Sequence, residues 1–268
     1  MAKEVKVMGV KFDSVTQKEA LDKMFFLLRD GKQHQIVTPN PEILLIARKD
    51  EKYRQILNRS SLSIPDGNGV LWAASLGEKK SFLNGLWKGF LMIFVPKKSL
   101  CPLPERVTGT DLMDDFLNKI LKDNLTYKVF LLGSKDGAGK EVMEKFSSCV
   151  VGAYEGSPAI EENDKILKII NHANPDVLFV AYGSPAQEKW IYRNLKKMPS
   201  VKVAIGVGGA FDFISEKVSR APKVLRKFRV EWLWRLLMEP KRIKRIWNAV
   251  FVFPYVLLIR KIRINLIK

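Results

Sequence analysis

Residues 128–154 read KVFLLGSKDGAGKEVMEKFSSCVVGAY. Val129 to Gly133 runs apolar without interruption and stops at a glycine turn. Gly137 to Phe146 then has the apolar spacing of a helix, and Val150 to Tyr154 is a second strand-like run. A strand with no polar alternation is covered on both faces, and strand–helix–strand in this order is the unit of a parallel sheet. The alternation continues with a helix expected over 161–171, a strand over 177–181, a helix over 186–197 and a strand over 201–207. The fold class is therefore α/β, a mainly parallel sheet with helices on both faces.

Toward the N-terminus the same reading holds with shorter elements. VKVMGVKFD (5–13) suits a strand or hairpin, and Ser14 to Asp30 suits a helix opened by Thr16 and Glu19 as a capping box. Short strands are expected at 35–38 and 62–64, helices at 41–47, 51–59, 69–76 and 110–122. Phe82 to Pro104 interrupts this order with an apolar, tryptophan-bearing insertion.

Composition narrows the chemistry. The chain has 268 residues, 47% of them hydrophobic and 28% charged, which is the make-up of a globular protein. Two cysteines, Cys101 and Cys149, exclude a disulfide scaffold, and two histidines, His34 and His172, argue against a histidine-rich metal centre. No metal site and no cofactor is expected. The N-terminus lacks an apolar signal core, and the longest nearly apolar run, Ile246 to Ile259, is 14 residues. A spanning helix needs about 20. The expectation is a cytoplasmic protein with no membrane-crossing segment.

The net charge of +18 predicts an anionic partner. Its distribution is uneven: residues 217–268 carry 15 Lys/Arg against two acids, Glu231 and Glu239, so +13 lies in the last 52 residues. A mildly basic body over 1–215 and a basic helical appendage over 216–268 are expected as separate units.

Three strand ends carry glycine turns: Gly133-Ser134, Gly183-Ser184-Pro185 with Gln187, and Gly206-Val207-Gly208-Gly209. Ligands of such sheets bind beyond the carboxyl ends of the strands, where glycine lets backbone N–H groups approach a phosphate. Each turn also has a plain structural reading as a tight connection, and none is a complete phosphate-loop or dinucleotide motif. Asp66, within Pro65-Asp66-Gly67, is either the cap of the helix that follows or a general base. Thr110 or Asp111 can serve as a cap, Arg106 can reach a phosphate, and Asp212 is a lone carboxylate in an apolar setting.

The segments TPNPE (38–42), IPDGNGV (64–70), ERVTGTDL (105–112), FLLGS (130–134), GSPAQEKW (183–190), GVGGAFDFISEKVSRAP (206–222) and EWLWRLLMEPKRIKR (231–245) occur together in this order. In this the chain resembles the WecG/TagA/CpsF family of bacterial glycosyltransferases, over roughly residues 5–247 and with most similarity to the TagA type. The resemblance implies a Rossmann-like fold with an appended C-terminal segment. It implies inverting, metal-independent transfer of N-acetylmannosamine from a UDP-sugar to undecaprenyl-diphosphate-linked N-acetylglucosamine, as in teichoic acid synthesis at the inner membrane face. Residue by residue, it implies Asp66 as base, Thr38, Asn40 and Arg106 in the same pocket, and Gln187 and Asp212 around the nucleotide-sugar. Arg235, Arg242 and Arg245 would close over the active site.

The expected partners are the UDP-sugar, the lipid-linked acceptor and an anionic membrane surface, with a homo-oligomer compatible and no nucleic acid. The competing reading is a nucleic-acid-binding module, with Trp232, Trp234, Trp247, Phe251 and Phe253 stacking on bases. The large aliphatics between them, such as Val250, Val252 and Leu257, suit a bilayer better.

Overall fold

The computed structural model describes residues 4–76, 101–134, 136–219, 234, 236–237, 240 and 243–258. Residues 77–100 lie outside this set, and with them 82–100 of the apolar insertion expected over 82–104; so do Arg235 and Arg242.

A six-stranded parallel sheet in the order β4-β3-β8-β7-β5-β6 organises the chain. Its strands are β3 (His34–Val37), β4 (Leu62–Ser63), β5 (Val129–Gly133), β6 (Val150–Tyr154), β7 (Val177–Ala181) and β8 (Val203–Gly206). A separate antiparallel hairpin, β1 (Glu4–Val7) and β2 (Val10–Asp13), precedes it. Ten helices are used below: α1 (Gln17–Arg29), α2 (Pro41–Lys49), α3 (Glu51–Asn58), α4 (Asn68–Ser75), α5 (Gly109–Lys122), α6 (Ala138–Lys145), α7 (Asn163–Ala173), α8 (Ala186–Asn194), α9 (Ala210–Ile214) and α10 (Ile243–Trp247).

Side-chain direction alternates along each strand, so the sheet has two apolar faces. Val129, Leu131, Val177, Phe179, Val203 and Ile205 meet α1, α5, α6 and α9 on one side. Phe130, Leu132, Leu178, Val180 and Ala204 meet α7 and α8 on the other. A third cluster joins the hairpin, α2, α3 and α4, and it includes Phe253 and Leu258 from the tail. The expected α/β architecture is thus present, with helices on both faces and a helical C-terminal segment.

Local signals explain the starts of elements. Thr16 and Glu19 form the capping box of α1. Asp50 ends α2 and accepts from the Tyr53 N–H at 2.9 Å, which starts α3 without a linker. Three expectations are corrected here. The helix after Pro65 is capped by Gly67, and no side chain completes that cap, so Asp66 is not the cap residue. The cap of α5 is Thr108 rather than Thr110 or Asp111; its hydroxyl accepts from the Asp111 N–H at 3.0 Å and donates to the Asp111 carboxylate at 2.7 Å. The expected single helix over 186–197 breaks at Asn194 into a 3-10 turn, Leu195–Lys197.

No helix among the described residues is long and apolar enough to cross a membrane. Pro254 cannot donate a backbone hydrogen bond, and the tail widens just before it into a π-turn over Asn248–Val252, where Phe253 N–H reaches Asn248 O.

Candidate active site

The connection after β5 leads outward to β6, whereas that after β7 leads the other way to β8. Diverging connections leave a crevice beyond the carboxyl ends of the strands. Backbone hydrogen bonds stitch the motif segments together there. Ile64 N–H donates to Val37 O at 3.0 Å, Asp66 N–H to Pro39 O at 3.2 Å and Val107 N–H to Pro65 O at 3.0 Å. Asp66 is thereby held between the 38–42 segment and the 105–111 segment, and it is half-buried.

Thr38 is buried at the end of β3, and its hydroxyl donates to Gly206 O on β8 at 3.3 Å. Gly109 allows the start of α5 to press against this junction. A Cβ there would lie 3.2 Å from Thr38 Cγ2 and 3.6 Å from the Val207 Cα. Asn40 caps α2, its Oδ1 accepting from Ile43 N–H at 3.0 Å, so the group it can still present as a donor is its NH2. Arg106 is half-buried one residue before the Val107–Pro65 hydrogen bond. Thr38, Asn40, Asp66 and Arg106, far apart in sequence, are brought to one end of the sheet.

Two of the three glycine turns, those after β7 and β8, are braced by one side chain. Gln187 is buried, and its Oε1 accepts from Gly183 N–H and Gly208 N–H, both at 3.1 Å. A Cβ at Gly206 would fall 2.5 Å from Gln187 Nε2, so only glycine lets the amide lie this close to β8. This carbonyl oxygen is committed to the protein's own backbone. Gln187 is a bracket between the β7 and β8 turns, which the sequence did not disclose.

Glu188 also escaped the sequence reading. Its carboxylate accepts from Tyr53 Oη at 2.9 Å, Ser184 Oγ at 2.8 Å and Gln187 Nε2 at 2.8 Å, and Gln35 Nε2 donates to its backbone O at 3.0 Å. Burial pushes the Glu188 carboxyl above its ordinary range, against the pull of those three donors, and burial beside it pushes the Tyr53 phenol up as well. Lys189 turns outward to Asp50 at 2.6 Å and holds that carboxyl below its usual range. The available signal was an acid two residues before Trp190 and three before Ile191, on a helix destined for the core.

Gly133 and Ser134 end β5, where Ser134 N–H donates to Ala181 O at 3.4 Å. Ser134 takes φ 76°, an uncommon conformation for serine that tends to appear at functional turns. Pro185 stands directly before α8, at its cap position. Gly209 precedes α9, and Asp212 sits half-buried in its first turn. A cavity of about 500 Å³ opens between the ends of β5 and β6 and the first turn of α6, lined by Gly133, Gly139, Lys140, Tyr154 and Glu155 among others. Among the described residues, no group of three or more His, Cys, Asp or Glu side chains is gathered where it could hold a metal ion.

The tail reaches the same end of the molecule. Arg245 Nε donates to both oxygens of Glu42, at 2.8 and 3.1 Å, two residues beyond Asn40. Phe253 is fully buried, with its ring 3.7 Å from where a Cβ on Gly69 would stand.

Residues 5–84 and 86–266 match the model of the family described as Glycosyl transferase WecG/TagA/CpsF family. The chain belongs to this family. Proteins of Staphylococcus aureus named N-acetylglucosaminyldiphosphoundecaprenol N-acetyl-beta-D-mannosaminyltransferase are its relatives. That of strain MRSA252 is 31% identical over 258 residues, 94% of this chain and 91% of the relative. That of strain MW2 is 31% identical over the same coverage, and that of strain NCTC 8325 / PS 47 is 30% identical. The protein is a WecG/TagA/CpsF glycosyltransferase, and its motif segments 38–42, 64–70 and 105–112 are joined at the crevice by hydrogen bonds. Of the tail arginines, Arg245 lies against Glu42, and Arg235 and Arg242 fall outside the described residues.

Proposed function

We propose that this glycosyltransferase moves N-acetylmannosamine from UDP to undecaprenyl-diphosphate-linked N-acetylglucosamine, with inversion and without a metal. The observation that carries the reading is the stitching of Asp66 between Pro39-Asn40 and Arg106-Val107 at the crevice. The similarity to enzymes whose names state this acceptor and this sugar supports the choice of substrates.

The chemistry needs few groups. The acceptor hydroxyl oxygen attacks the anomeric carbon from the face opposite UDP, which inverts that centre. The bond from that carbon to the phosphate oxygen breaks, and UDP leaves with the electron pair. Asp66 takes the hydroxyl proton in the same step. Asn40 and Thr38 orient sugar hydroxyls, and Arg106 balances charge on the departing diphosphate. The diphosphate runs over the turns at Gly133-Ser134, Gly183-Pro185 and Gly208-Gly209, with the uridine end toward the 500 Å³ cavity and near Asp212. Lys140 in the first turn of α6 faces that cavity and adds positive charge at a helix N-terminus.

Residues 1–215 are the transferase unit and 216–268 an appendage that holds it at an anionic membrane. Ile243, Trp247, Phe251 and Tyr255 are each more than half exposed at four-residue intervals, and the Trp247 and Phe251 rings stack at 4.5 Å. Phe253 and Leu258 turn the other way into the body. An apolar ridge on a basic segment suits the interface of an anionic bilayer. Arg235 and Arg242 would join Arg245 over the active site once the lipid-linked acceptor is bound.

A donor panel tests the whole reading. The full chain is incubated with UDP-sugars and a short-chain diphosphate-linked N-acetylglucosamine, and products are read by mass spectrometry with and without EDTA. Addition of one N-acetylhexosamine from the manno-configured donor, undiminished by chelation, is expected. Transfer from UDP-glucose alone, or none, would sink the reading. Tight binding of the tail to RNA with none to anionic liposomes would favour the nucleic-acid reading.

A further inference from the structure

Glu188 takes no part in the chemistry above, yet it is the one fully buried acid among the described residues. A buried carboxyl group without a buried cation is a poor way to gain stability, because desolvation opposes the charge and an apolar residue of similar size would pack at least as well. Lys189, its neighbour in sequence, is paired with Asp50. What the carboxyl group does supply is direction. Oε1 accepts from Ser184 Oγ and Gln187 Nε2, and Oε2 accepts from Tyr53 Oη.

The direction matters because the Gln187 amide has two ends. With Nε2 held on Glu188, Oε1 faces Gly183 N–H and Gly208 N–H. Rotated by half a turn, the NH2 would oppose two N–H donors, and both half-buried glycine amides would lose the acceptor that Gln187 gives them. Tyr53 fixes the far side of Glu188, since it is itself fully buried on α3.

We propose that Glu188 is a positioning residue for sugar transfer: it sets the orientation of the Gln187 amide, which in turn fixes the Gly183 and Gly208 turns under the donor diphosphate. The inference rests on the reading of these turns as part of the donor site. It predicts a defect in handling the donor and not the acceptor, because the acceptor side is held by other bonds, those of Pro39, Pro65 and Val107.

The test uses the full chain and two readouts. Amide hydrogen exchange is followed on peptides covering residues 182–187 and 206–210, and kcat and KM are measured separately for donor and acceptor. Glu188→Ala should speed exchange in both turns and raise donor KM by about tenfold to hundredfold, with acceptor KM moved less than about twofold. Glu188→Gln should stay near wild type in both readouts. Its carboxamide oxygen can still accept from Ser184 and Gln187, and its NH2 can donate to the Tyr53 oxygen. Should Glu188→Ala not fold, Glu188→Leu fills the space without orienting the amide and carries the same expectations. Unchanged exchange in the two turns overturns the proposal. So does faster exchange with donor KM unmoved, or a loss shared equally by donor and acceptor. A wild type that neither binds UDP by calorimetry nor transfers sugar overturns the donor reading itself, a failure visible before any variant is made.

Discussion

The strand ends and the tail are held by opposite kinds of interaction. At the strand ends, Thr38 and Gln187 are buried and linked to the backbone of neighbouring strands and turns at 3.1–3.3 Å, and buried Glu188 is linked to the Gln187 side chain at 2.8 Å. In the tail, the ion pair of Arg245 with Glu42 is half-exposed, and Trp247, Phe251 and Tyr255 face outward. A buried polar network has few alternative arrangements, because each broken bond leaves an unsatisfied group. An exposed ion pair contributes about 0–1 kcal/mol and is easily exchanged. This contrast supports the proposal that the first region does geometry-critical work and the second docks reversibly.

The largest effect should come from the first region. Asp66→Asn keeps the shape of the loop and removes the proposed base, so turnover should fall about 10²–10⁴-fold while UDP affinity by calorimetry stays within about twofold. A variant that turns over like wild type at saturating substrates would make Asp66 a structural residue.

Next is Gly206→Ala. Its Cβ would strike the Gln187 side chain, which backbone hydrogen bonds hold in place. Overpacking of this kind costs about 1–3 kcal/mol, and the melting temperature should drop with donor KM rising. An unshifted melting temperature would mean that Gln187 has another place to go.

These effects were only partly readable in the chain itself. Strands 129–133, 150–154 and 177–181 were legible to the residue, because continuous apolar runs bounded by turns have few other meanings. The motif residues at the crevice were legible as strand-end residues. Their partners were not. Gln187 meets Gly208 only because β7 and β8 are neighbours, and sheet order is not written in local periodicity. The Arg245–Glu42 pair spans 203 residues, and no spacing rule reaches that far. Asp66 looked like a helix cap because aspartate before a glycine-rich helix start usually is one; here Gly67 occupies that position.

A smaller effect should appear in stability against pH. Burial raises the Glu188 carboxyl above 4.5, so the folded state holds this proton more tightly than the unfolded chain does. As pH rises from 4.5 toward the raised value, the unfolded state releases its proton first, and this group's contribution makes folding less favourable. The facing groups are Tyr53, whose phenol is pushed up out of this range, and the Asp50–Lys189 pair. The Asp50 carboxyl is lowered, so its contribution is lost only as pH falls below the ordinary carboxyl range. Denaturant titrations between about pH 5 and pH 8 should show a shallower decline for Glu188→Gln than for wild type. Equal slopes would remove the burial argument.

The smallest effect on chemistry belongs to the tail, and it decides the division of labour most directly. Trp247→Ser, Phe251→Ser and Tyr255→Ser combined remove the exposed ridge and leave Phe253 and Leu258 docked in the body. The measurement is kcat/KM on a short, water-soluble acceptor beside cosedimentation with anionic liposomes. The soluble reaction should stay within about twofold of wild type while liposome binding falls by at least about tenfold. Liposome binding that persists, or a soluble reaction that fails with the ridge, would contradict the separation of a catalytic frame from a docking tail.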